Sequence, residues 1–301
     1  MEKIRKREKV MKYIVYNEFI AIIISLYFTS ISVWGTTWDF FTKYKKEHTV
    51  AFIFVVIFLA IKQFCGIMVR NWENLRYNLS EGQSLLTTAL VSAKIIRFQD
   101  KSKEVKVTGD TFNRITKPKK QINMTLGEID RFLDTKFNIK QEHICSTILY
   151  KNSSTDKWEY VFNSQGWTHT DPNSILKEEN SLGLKCLLNN EHKFIPCKNT
   201  ASKNDIFFLS QRDKDHGCGS AFFYPHKVCM PDGEDTYLIS IITYGECLCK
   251  PNDNRSAHMI SHAFLNICLR VSLELTLLSI QCWKYKMKND TTRNGGATCR
   301  S

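Results

Sequence analysis

Residues 19–38 carry no charged side chain; they read FIAIIISLYFTSISVWGTTW. A helix of that length rises about 30 Å, the thickness of a bilayer's hydrocarbon core. Tyr13 and Tyr16 stand before the run, and Trp34 and Trp38 close it. Aromatic residues at both ends are the mark of a spanning helix. A second run, His48–Val69, is broken only by Lys62. Lys62 lies about two turns from the end, so its ammonium can reach the headgroups, and Arg70 then marks the interface. The spacing predicts two transmembrane helices, about 13–38 and 48–69, forming a membrane anchor over residues 1–71. The first run is longer than the apolar part of a signal peptide, and no small-x-small cleavage site follows it.

Lys3, Arg5, Lys6, Arg7, Lys9 and Lys12 precede the first run, against Glu2 and Glu8. Positive charge favours the cytoplasmic side, and two crossings return the rest of the chain there. The expected localisation is a multi-pass cell-membrane protein with a cytoplasmic amino terminus and a cytoplasmic soluble domain. Lys43, Lys45 and Lys46 in the connecting loop weaken this bias without reversing it. Arg5, Lys6, Trp34, Trp38, Lys62 and Arg70 are the expected membrane-interface residues, and the bilayer is the first expected partner.

The chain carries 42 Lys plus Arg against 30 Asp plus Glu, a net charge of +12. Much of the excess sits at the membrane end, which argues against a nucleic-acid polymer as partner and fits anionic headgroups. Apolar residues make up 43% and charged residues 24%, the composition of a folded protein. All of the 11 cysteines but Cys65 lie beyond residue 140. In a reducing cytoplasm they are expected as thiols rather than disulfides.

Residues 72–98 continue as a helix through Leu85, Leu86, Leu90, Ala93 and Ile96, and a basic linker extends to 118. A helix begins near Lys119, with Ile122, Leu126, Ile129, Leu133 and Phe137 at helical spacing. HICSTILYK (143–151) and KWEYVF (157–162) alternate as a hairpin. Helical spacing returns over 172–188. Short strands are predicted at 193–197, 219–225 and 236–244, with a short helix within 204–215. A closing helix runs from about 256 to 286, and a polar tail covers 287–301. Arg270 and Glu274, four residues apart near its middle, argue for packing on a sheet rather than membrane crossing.

The order helix, hairpin, helix, strand, short helix, two strands, long helix resembles a GAF domain, a relative of the PAS fold. The resemblance covers residues 119–286. It rests on the hairpin, on GSAFFYP after a charged helix, and on YLISIITYG before the last helix. It implies an α+β fold: two N-terminal transmembrane helices followed by a GAF-like antiparallel sheet flanked by helices. It also implies a ligand held against one sheet face and dimers formed through the first and last helices. The NKFDE-type motif of cyclic-nucleotide-binding members is absent from the sequence. The expected function is that of a membrane-anchored sensor, which binds a small molecule or partner and transmits its state to the membrane helices. The architecture also resembles antiphage effectors, whose soluble domain binds a nucleotide second messenger and triggers membrane disruption. A third reading is an adaptor that binds no ligand.

For an anionic ligand, Lys185, Arg212 and Lys227 are the candidate cationic partners, with Phe208, Phe222 and Tyr224 as stacking surfaces. Against this stands the plain reading of solvated charges and core aromatics. His216, Cys218, His226, Cys229, Cys247 and Cys249 share one 34-residue stretch. Their spacing is not that of a zinc ribbon or finger. The cysteines read as small buried free thiols and no metal is expected, with Cys218, Cys229, Cys247 and Cys249 as the candidate ligands should one bind. No phosphate loop, dinucleotide fingerprint or nucleophile motif occurs, so neither a cofactor nor an enzymatic activity is expected.

Overall fold

The computed structural model describes residues 2–17, 22, 24–26, 29, 45–104, 116–152, 157–163, 171–177, 181–231 and 233–292. The chain divides into two compact units, Met1–Tyr77 and Asn78–Ser301.

In the first unit, α1 spans Glu2–Tyr16 and α2 begins at Lys45, running to Glu104 in the second unit. Lys12 Nζ lies 2.9 Å from Glu73 Oε1, and Tyr16 donates its hydroxyl proton to Glu73 Oε2 at 3.3 Å. Between Val50 and Ile67, α2 exposes Phe52, Ile53, Phe54, Val56, Ile57, Leu59, Ile61 and Phe64. Lys62 is half-buried and Arg70 exposed. Most of the expected 13–38 span, with Trp34 and Trp38, lies outside the described residues. Arg5 and Lys6 fall in α1.

The second unit is α+β. After α3 (Pro118–Phe137) come β1 (Ile144–Asn152) and β2 (Trp158–Asn163). Next are α4 (Pro172–Ile175), α5 (Leu182–Asn189), β3 (Lys193–Ile195), α6 (Lys198–Lys203) and α7 (Gln211–His216). Then follow β4 (Cys218–Met230), β5 (Gly233–Tyr244) and α8 (Asn254–Thr292). The five strands form one antiparallel sheet in the order β2-β1-β5-β4-β3.

Alternation along the strands divides their side chains between two cores. Ser146, Ile148, Phe222, Tyr237 and Ile239 face α3 and α8. Phe222 meets Phe264 with ring centroids 5.4 Å apart, Tyr237 bonds Ser279 at 2.7 Å, and Ser146 donates to Asp130 at 2.6 Å. Leu149, Ala221 and Leu238 face the other way, into a cluster with Leu176, Leu182, Cys186, Ile195 and Ala201. The part of α2 beyond Asn78 packs on the first layer: Gln83 donates to Ala263 O at 3.1 Å, and Lys94 pairs with Glu274. Gly82 permits this approach, since a Cβ there would strike the Phe132 ring.

Among the described residues, two helices are long and apolar enough to cross a membrane, within Thr49–Ile96 and Asn254–Trp283. Burial separates them: the most apolar window is 11% buried in the first and 50% buried in the second. The second lies in α8, which lays Phe264, Ile267, Val271 and Leu275 into the core.

Four segments differ from the reading of the sequence. The helix expected over 172–188 is two helices, because Ser181 takes an extended backbone and caps a new one, accepting from Leu184 N–H. The helix α6 carries only one buried apolar residue, Ala201, so it leaves no periodic signal. The strand expected to end at Pro225 continues to Met230, because β3 pairs only with Ala221–Phe223 and Pro225 lies beyond that contact. The closing helix runs on to Thr292, so the described part of the polar tail is helical.

Phe264 is 1% exposed and Leu273 60%. Phe264→Ala is expected to destabilise the chain by about 3–5 kcal/mol. Leu273→Ala is expected to change stability by about 0.5 kcal/mol or less. Chemical denaturation of the two variants checks this.

Candidate functional site

A cleft of about 460 Å³ opens beside α5, β3 and α6. Its walls include Leu182, Ile195, Ala201 and Ile206, with Lys185 and Lys193 contributed by α5 and β3. The local sequence explains the shape: Ser181 starts α5, and Asn190 ends it in a left-handed conformation, φ 51°. The chain then turns at once into β3, so the two lysines line one opening.

Cys197 lines the same cleft, and the next residue points inward. Lys198 is fully buried and paired with Asp213, itself 4% exposed. The other Asp213 oxygen accepts from Ser210 N–H at 2.9 Å and from Ser210 Oγ at 2.7 Å. Ser210 and Asp213 form the capping box of α7, so the helix start and the counterion of Lys198 are one carboxylate. Lys198 Nζ lies 4.1 Å from the Tyr244 ring centroid, and the Arg212 guanidinium carbon 5.2 Å from it. Two cations on one aromatic ring is a cation–π arrangement.

Burial dominates the proton affinities here. It pushes Lys198 below the ordinary lysine value, with Asp213 opposing. It pushes the Cys145 thiol and the Tyr160 phenol each up to about 12 and raises Tyr244 as well. Burial also raises Cys197, but the Thr200 backbone and hydroxyl, the Cys247 thiol and the Asn199 backbone around it outweigh that effect. The net effect holds Cys197 below the ordinary thiol value.

The six ligand candidates do not share one site. Lys185 lines the cleft, and Arg212 lies beside Tyr244. Phe208 is exposed, whereas Phe222 is fully buried. Tyr224 and Lys227 line a separate hollow of about 220 Å³ with His192 and His226. Lys227 pairs there with Glu234 at 3.1 Å.

Of the candidate metal thiols, Cys218, Cys247 and Cys249 are neighbours, with Cys247 Sγ 3.8 Å from Cys218 O, and Cys229 stands apart. Cys218 pairs opposite Tyr244 and Cys229 opposite Glu234, eleven residues apart on one strand, roughly 35 Å. Among the described residues no group of three or more His, Cys, Asp or Glu side chains is arranged to hold a metal ion.

Three features escaped the reading of the sequence: Lys198, its partner Asp213, and Cys197. Ser210-x-x-Asp213 is a legible capping signature, but nothing in it says that a buried lysine needs the same carboxylate. No family model, curated protein or solved structure matches the chain.

Asp213→Asn leaves the Lys198 ammonium buried without its counterion and is expected to cost about 3–5 kcal/mol of stability. The double variant Lys198→Met/Asp213→Asn is expected to lose less than the sum of the single variants, which a double-mutant cycle measures.

Burial also holds the His226 imidazole below its ordinary value, against a bond with the Ser272 backbone that favours the cation. The unfolded chain therefore binds the proton first as pH falls, and stability is lost from about pH 6.5 downward through the folded value. The unfolding temperature is expected to drop between about pH 7 and pH 5, and to drop less in His226→Gln.

Proposed function

We propose that the protein is a membrane-anchored, GAF-like ligand sensor, in which α2 supplies part of the anchor and the cleft beside α5, β3 and α6 takes a small anionic molecule. The observation that carries this reading is the cleft itself: an apolar recess with Lys185 and Lys193 among its walls. Apolar walls with a few placed charges are what small-molecule sites are made of.

The row of exposed large apolar side chains from Val50 to Ile67 supports the anchor, since water would oppose it and lipid would not. The GAF-like reading is supported by the division of helices. The first and last helices of the domain, α3 and α8, lie on one sheet face, and the short helices and the cleft lie on the other. Ligand binding would signal by favouring one arrangement of the helices over another, in proportion to its affinity difference between them.

The full chain in detergent is to be unfolded thermally against a panel of mono-, di- and cyclic oligonucleotides. A ligand at 100 times its Kd adds about 2.7 kcal/mol of stability, a rise of roughly 5–10 °C for a domain of this size. The expected result is a selective rise that is lost in Lys185→Ala. A flat panel overturns the reading of the cleft as a nucleotide site.

The anchor is tested separately. The full chain is expected to stay with membranes through an alkaline carbonate wash, and a chain lacking residues 1–71 to be released.

A further inference from the structure

We propose that Cys197 and Cys247 form a peroxide-reactive dithiol at the wall of the cleft. The two thiols come from separate segments, Cys197 directly after β3 and Cys247 just beyond β5. Ser220 holds those segments side by side: its hydroxyl donates to Pro196 O at 2.7 Å and accepts from Leu248 N–H at 2.8 Å, and each thiol lies in the other's electrostatic surroundings. Both are half-buried rather than sealed, and Cys197 lines the cleft, which gives a small oxidant access.

Their surroundings give the two sulfurs different roles. Cys197 stands at the N-cap of α6, where the Thr200 backbone and hydroxyl and the Asn199 backbone lower its proton affinity, a setting that favours its thiolate. Burial and the neighbouring Cys197 hold Cys247 in the protonated form, pushed up to about 12. Its Sγ also lies 3.8 Å from the Cys218 carbonyl oxygen, which it can use as acceptor. Thiolates, not thiols, attack peroxides, so Cys197 is the attacking sulfur and Cys247 the resolving one.

The Cys197 thiolate attacks one oxygen of the peroxide. A sulfur–oxygen bond forms, the oxygen–oxygen bond breaks, and the leaving oxygen takes a proton as water or alcohol. The Cys247 sulfur then attacks the resulting sulfenic acid. The disulfide forms, the sulfur–oxygen bond breaks, and hydroxide leaves as water with the Cys247 proton. Two thiols lose two electrons and the peroxide gains them, and a thiol reductant reverses the step. Transient, redox-sensing disulfides are the kind found in a reducing cytoplasm. The inference does not depend on which ligand the cleft takes.

The test treats the full chain in detergent with hydrogen peroxide, blocks remaining thiols with N-ethylmaleimide, and maps peptides by mass spectrometry without reduction. The expected product is a Cys197–Cys247 linked pair, lighter by two hydrogens and reversed by dithiothreitol. In Cys247→Ser, Cys197 is expected to accumulate as a sulfenic acid captured by a cyclic 1,3-dione. In Cys197→Ser, Cys247 is expected to stay alkylatable. Cys229→Ser, at an exposed thiol toward the other end of β4, is expected to leave the linkage intact. Alkylation of both Cys197 and Cys247 while Cys229 is oxidised would overturn the proposal. So would linkage of Cys247 to Cys218 or Cys249 in place of Cys197.

Discussion

The central sheet is covered on both faces, and the rest of the second unit follows from that constraint. A strand buried on one side alternates apolar and polar residues; one buried on both sides cannot. In β5, Tyr237, Leu238, Ile239, Ser240 and Ile241 are all buried, although successive residues face opposite cores. The polar members are kept by pairing: Ser240 shares a bond with Thr147 at 2.6 Å. Two cores need two sets of helices, long ones on one side and short ones on the other. The short ones leave a cleft because α5 and α6 are too brief to cover the face alone.

The fold was legible where apolar spacing decides structure. Ile122, Leu126, Ile129 and Leu133 announce α3, and all four are fully or almost fully buried. The hairpin was readable from HICSTILYK and KWEYVF because β1 and β2 lie at one side of the sheet. Legibility failed where local chemistry decides. Ser181 splits a helix by capping, and α6 forms with one buried apolar residue beside a buried lysine. A charge buried against its partner has no sequence signature, because Lys198 and Asp213 lie fifteen residues apart and meet only in the folded chain.

The candidate site shows the same limit. Lys185 could be named from its place in a helix before a strand. The choice of Phe222 rested on its being aromatic, and burial now places that ring against Phe264 rather than in an opening. Cys197 could not be singled out, because its character comes from the groups around it at the start of α6 and from a thiol fifty residues away. Chemistry of this kind depends on distances that composition and period do not encode.

The strand β4 is thirteen residues long, and its outer neighbour β3 covers only Ala221–Phe223. Beyond Phe223, the outer margin of β4 has no strand beside it among the described residues. Such a margin is a template onto which another extended chain can add, the usual start of aggregation. This stretch carries Pro225, which has no backbone donor, and then Lys227, whose charge an incoming strand would have to bury. Pro225 and Lys227 thus blunt the stretch that outruns its neighbour against recruiting a stranger, so the strand's length does not become an open invitation to self-association.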